Sequence, residues 1–121
     1  MNEVTFENGE MSIRNIVFAY INFSNYYAAY TLIGKLRKAN KMERKLNILI
    51  TTIKPLGNQF DEIMKRLLVC GSIYARFNVA IYCLQHEIHI NEAQQVLEQV
   101  ANNEDIGVFN VRAKTALASV K

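Results

Sequence analysis

The sequence predicts an all-α fold: a compact bundle of about five helices around a central apolar helix over residues 60–86. Three observations lead there. Leu56, Phe60, Ile63, Leu67, Cys70, Tyr74, Phe77, Ile81, Leu84 and Ile88 step by four and three in alternation, the spacing of one helical face. Pro occurs once and Gly five times in 121 residues, too few for a loop-rich or all-β chain. Half of the residues are apolar, which argues against disorder. A chain of this length buries about two-thirds of its unfolded surface, enough for a real core. The expected organisation is one helical domain over residues 12–121 after an irregular or extended lead over residues 1–11.

The helices follow in order. Ser12 is the predicted N-cap of the first, because its hydroxyl can take an orphan backbone N–H. Ile13, Ile16, Val17, Tyr20, Phe23, Tyr27 and Tyr30 then share one face. The opposite face shows Phe18, Asn22, Asn25, Tyr26 and Ile33, with no charge. A helix with no wet face is expected to be central in the fold or covered by a partner. Gly34 and the pair Ala39-Asn40 are candidate breaks before a second helix that ends at Lys54, since Pro55 disfavours helix in the residue before it. Pro55-Leu56-Gly57-Asn58 reads as a turn, and Asn58 as the cap of the long third helix. Gly71, costly inside a helix, suggests a close approach of another helix. Asn91 with Gln94 reads as the capping box of a fourth helix. Asn102-Asn103 ends it, and Glu104 and Asp105 open the last, with Lys114 and Lys121 toward its C-terminal end.

Residues 15–34, NIVFAYINFSNYYAAYTLIG, hold no charge and are long enough to cross a bilayer. Three asparagines, a serine and four tyrosines argue against a span and for a buried or interface helix. The N-terminus is acidic and lacks the basic, then apolar, pattern of a secretory signal. Cys70 and Cys83, placed on one helix, would stand about 20 Å apart and stay reduced. Together these features predict a cytoplasmic protein.

Charge is distributed unevenly. The formal net charge is +3, but residues 1–10 carry three acids and no base, residues 35–66 nine bases and three acids, and residues 87–105 five acids and no base. The densest run is KLRKANKMERK, residues 35–45, with six bases and one acid. On a helix Arg37, Lys38, Lys41, Arg44 and Lys45 share an arc of roughly 120°, with Leu36, Ala39, Met42, Leu46, Leu49, Ile50 and Ile53 on the other side. Such a cluster binds phosphates by releasing counterions. Solvated surface is the ordinary alternative; an anionic membrane surface or an acidic protein groove are two more. Tyr20, Tyr26, Tyr27 and Tyr30 lie just before the bases. Rings beside a basic groove can stack the bases of a single strand, although tyrosines at this spacing also serve as packing or interface residues.

Other patterns are weaker. Val100-Ala101, Ile106 and Val111 fit the apolar spacing of a helix-turn-helix, with Asn110, Arg112 and Lys114 on its second helix. Glu104 stands where an apolar residue is wanted, and the turn glycine is missing. His86 and His89 are three apart, but a full ligand set is lacking. The glycines form no phosphate loop or dinucleotide fingerprint, and no serine sits in a nucleophile elbow.

The sequence therefore predicts a non-enzymatic protein without cofactor or metal. The first expectation is a nucleic-acid-binding subunit of a larger assembly, RNA or DNA, touching phosphates through Arg37, Lys38, Lys41, Arg44 and Lys45. The second is a protein-interaction or oligomeric module that uses the uncharged helix 13–33, with Phe23, Tyr26, Tyr27 and Tyr30 at the interface.

Overall fold

The computed structural model describes residues 6–7 and 10–120. The chain is all-α, as expected, apart from a short antiparallel pairing of β1 (Phe6–Glu7) with β2 (Glu10–Met11). That pairing gives the lead an extended part; the remainder of residues 1–11 lies outside the described residues, as does Lys121. Six α-helices follow: α1 (Ile13–Leu32), α2 (Leu36–Ile53), α3 (Asn58–Leu68), α4 (Ile73–Gln85), α5 (Ile90–Ala101) and α6 (Val108–Ala118). They form two compact units, one ending at Leu67 and the other beginning at Leu68.

In the first unit α1 packs along α2. Ser12 caps α1 as predicted, its Oγ accepting from the Asn15 N–H at 3.4 Å. At the other end the chain turns within three residues. The Lys35 N–H donates to the Tyr30 carbonyl (2.9 Å) and the Gly34 N–H to that of Thr31 (3.1 Å). This is a Schellman motif, and its C′ residue must be left-handed; Gly34, at φ 78°, takes that conformation without a Cβ clash. Helices one and two are therefore separate, and Ala39-Asn40 does not break α2.

Packing holds α2 more than propensity does. Ala39, Leu46, Leu49, Ile50 and Ile53 are buried. Full burial of each large side chain is worth about 1.5–3 kcal/mol, against a few tenths for an exposed i,i+4 pair. In α1, Ile16, Ala19, Tyr20, Ser24 and Ala28 are buried. A single 3-10 turn (Lys54–Leu56) carries Pro55, and Gly57 leads into α3, where Ile63, Met64 and Leu67 are fully buried.

The continuous helix expected over residues 60–86 is not formed. It is two helices, α3 and α4, with a break at residues 69–72. Three local interactions hold the break. Ser72 Oγ caps α4 by accepting from the Ala75 N–H at 3.1 Å. The Arg76 N–H donates to the Ser72 carbonyl, and the Arg76 guanidinium donates to the Cys70 carbonyl at 2.6 Å. Val69, inside the apolar run, is 81% exposed. Gly71 thus marks a helix stop, and a Cβ there would meet nothing within 4 Å, so it serves no close helix approach. The apolar stepping crosses the break because both helices bury a face; Gly-Ser, a costly helix residue beside a good cap, is the local mark it obscures. Cys70 and Cys83 are accordingly on different elements, and both are free.

In the second unit α5 packs on both α4 and α6. Phe109 is its centre, meeting the rings of Tyr74 and Phe77 edge-on at centroid distances of 5.3 and 5.4 Å. The α5 start differs from expectation: His89, left-handed at φ 46°, takes the N-cap position without a side-chain cap, so Asn91 and Gln94 form no capping box. Another 3-10 turn (Glu104–Ile106), capped by Asn103, precedes α6.

Buried Asn110 on α6 donates its amide to the Ala101 carbonyl (2.5 Å) and more weakly to that of Val100 (3.5 Å), satisfying the end of α5. Replacing Asn110 by Ala leaves these carbonyls without that donor. It is expected to cost about 1–3 kcal/mol, read as a lower thermal midpoint by circular dichroism.

Candidate nucleic-acid interface

The basic run folds into the first half of α2. Its straight-chain residues are strong helix formers, and its apolar positions recur on the side that packs against α1. Arg37, Lys38, Lys41, Arg44 and Lys45 are all exposed. Glu43, the acid of the run, projects about 160° from the middle of their arc. The ion pairs Lys65–Asp61 (3.3 Å) and Arg66–Glu62 (2.5 Å) lie on α3. None of the five bases is paired with a carboxylate among the described residues.

The edge of the arc nearest α1 meets aromatic rings. Lys38 Nζ stands 5.6 Å from the Tyr30 ring centroid, and Lys45 Nζ 5.6 Å from that of Phe23. These separations lie within cation–π range. The pairing of a late α1 residue with an early α2 residue, and the reverse, shows that the helices run antiparallel. Tyr30 also stacks on Tyr26, with centroids 6.2 Å apart and planes 24° from parallel. Beside this seam runs a groove of about 290 Å³ lined by Phe18, Asn22, Phe23, Tyr26, Met42 and Lys45, among others.

The fold therefore joins two predicted sets of residues into one surface. Phe23, Tyr26 and Tyr30 lie beside the bases. Tyr27 is half-buried and stands about 100° further round α1 from Tyr26. Tyr20 is a core residue. The uncharged face of α1 is neither central nor covered among the described residues, for Phe18 is 65% and Tyr26 57% exposed. Phe18 and Asn22, placed with Tyr26 on the uncharged face by their four-residue spacing, are not among the expected site residues, yet they line this groove. No protein-family model matches this chain, and no curated protein or solved structure is found to be similar to it.

The other candidate sites come apart. On α6, Asn110 is turned inward to cap α5, Val111 is 58% exposed where the helix-turn-helix spacing wants it buried, and Arg112 lies over the Phe109 ring at 5.2 Å. Neither Asn110 nor Val111 plays the part that motif assigns. His86 stacks on Tyr82, with centroids 4.1 Å apart, while His89 belongs to the turn before α5. Among the described residues no three His, Cys, Asp or Glu side chains could hold a metal ion. No helix of the described residues is long and apolar enough to cross a membrane. A cleft of about 570 Å³ in the second unit offers Gln85, Glu87 and Ser119 as its polar side chains.

The thiols are poorly reactive. Burial pushes Cys70 up and Cys83 up to about 12, and only the thiolate is a nucleophile. The folded chain holds the Cys83 proton between about pH 9, where an unfolded thiol ionises, and about 12. Folding stability from this group is full below that window and lost as pH rises through it. A thiol reagent near pH 8 is expected to modify half-buried Cys70 first, and Cys83 only as the protein unfolds; equal rates would show that Cys83 is not shielded.

Proposed function

We propose that the protein is a non-enzymatic nucleic-acid-binding subunit of a larger assembly, and that the basic arc of α2 carries the binding. One observation supports this most: five exposed bases, none paired with a carboxylate among the described residues, stand on one arc whose edge meets aromatic rings. Arg37, Lys38, Lys41, Arg44 and Lys45 contact phosphates, which gives affinity and register with little choice of sequence. A cytoplasmic setting accords with two free thiols.

A second reading has its own observation. The exposed, chargeless face of α1 extends through Leu32 and Ile33 to Leu36 on α2, also exposed. Such a face suits a protein partner or a second copy. Under this reading the basic arc is solvated surface.

Salt separates the two. Anisotropy titrations of labelled oligonucleotides are expected to give a slope of log K against log salt of about −3.5 for a single strand and −4.5 for a duplex, from five phosphate contacts. Reversing Arg37 and Lys41 to Glu together should abolish binding near physiological salt. Absence of binding at tens of micromolar protein, or binding untouched by the double reversal, overturns the nucleic-acid reading. A mass above the 13.9 kDa monomer that is insensitive to salt supports the second.

A further inference from the structure

Along α1, Phe18, Asn22 and Tyr26 step by four residues and form one strip whose two rings are exposed. The strip borders the groove that Lys45 closes from α2. Tyr26 is backed by Tyr30, which in turn lies under Lys38, so this ring is held in place before any ligand arrives. Asn22, half-buried between the two exposed rings, lines the groove with them. It offers a donor and an acceptor together, as a nucleobase edge requires.

We infer that this strip is a base-stacking site, and that the ligand is a single strand with exposed bases. The inference rests on the nucleic-acid reading above and adds the ring positions and the strand state. Phe18 and Tyr26 are eight residues apart, about 12 Å along the helix axis. Stacked bases rise by about 3.4 Å. Two bases resting on these rings are therefore not stacked on each other, and the strand lies opened out along α1. A duplex cannot present its bases this way without unpairing. Lys41 and Lys45 run parallel to the strip on α2 and take the phosphates.

The test compares two labelled probes on the full chain: a twelve-residue oligothymidylate, and a strand of the same length whose residues are abasic. Stacking on an aromatic ring is worth about 5- to 150-fold in affinity per base, from about 1–3 kcal/mol. The oligothymidylate is expected to bind tighter by at least that factor. Phe18→Ala and Tyr26→Ala should each remove a large part of the difference and leave the salt slope unchanged. Phe18→Tyr should keep it. Both rings are exposed, so circular dichroism of the variants should match the parent. With six tyrosines and no tryptophan, the protein's own emission should be quenched by oligothymidylate, and less so in Tyr26→Ala.

If the abasic strand binds as tightly, or the Ala variants bind oligothymidylate like the parent, base stacking is wrong while phosphate binding stands. If neither strand binds, the nucleic-acid reading falls and the stacking site falls with it.

Discussion

The first unit depends on the antiparallel packing of α1 and α2. Two constraints impose it. The Schellman turn at Gly34 reverses the chain within three residues, leaving no slack for another arrangement. The apolar arc of α2, with Leu46, Leu49, Ile50 and Ile53, must then be covered. Several kcal/mol of burial stand behind that choice, far more than the exposed charges on the other side of the helix contribute. The position of the bases follows from it. Because the apolar arc faces α1, one edge of the basic arc has to lie along α1 as well. Lys38 and Lys45 reach Tyr30 and Phe23 for that reason, not because weak cation–π contacts drew the helices together.

The same packing exposes what a helix without charges would be expected to hide. α1 buries Ile16, Ala19, Tyr20, Ser24 and Ala28, small residues apart from Ile16 and Tyr20. Small residues let a helix come close, and they leave the large rings outside. Phe18 and Tyr26 are outward because the buried face is already filled. The surface then holds three kinds of group in a short distance: cations, rings and an amide. Phosphate, base face and base edge are their natural complements.

The second unit is organised around Phe109 and Asn110, adjacent on α6. Phe109 fills the core against Tyr74 and Phe77, and Asn110 finishes α5. Their inward orientation commits this side of α6 to structure. It takes Asn110 out of any recognition role and leaves Val111 on the outer side.

The sequence by itself determined the helical class, the cap at Ser12, the stop near Pro55, the amphipathic second helix and its basic arc. These are local properties: periodicity, capping chemistry and the fixed φ of proline act within a few residues. It missed the break at residues 69–72 because an apolar rhythm persists across a break when both helices bury a face; only Gly71-Ser72 carried the mark. Tertiary structure alone decided which rings meet which bases and that Asn110 points inward. Those facts depend on the rotation of one helix against another. That rotation is set by the summed burial of residues far apart in the chain, which no short window of sequence contains.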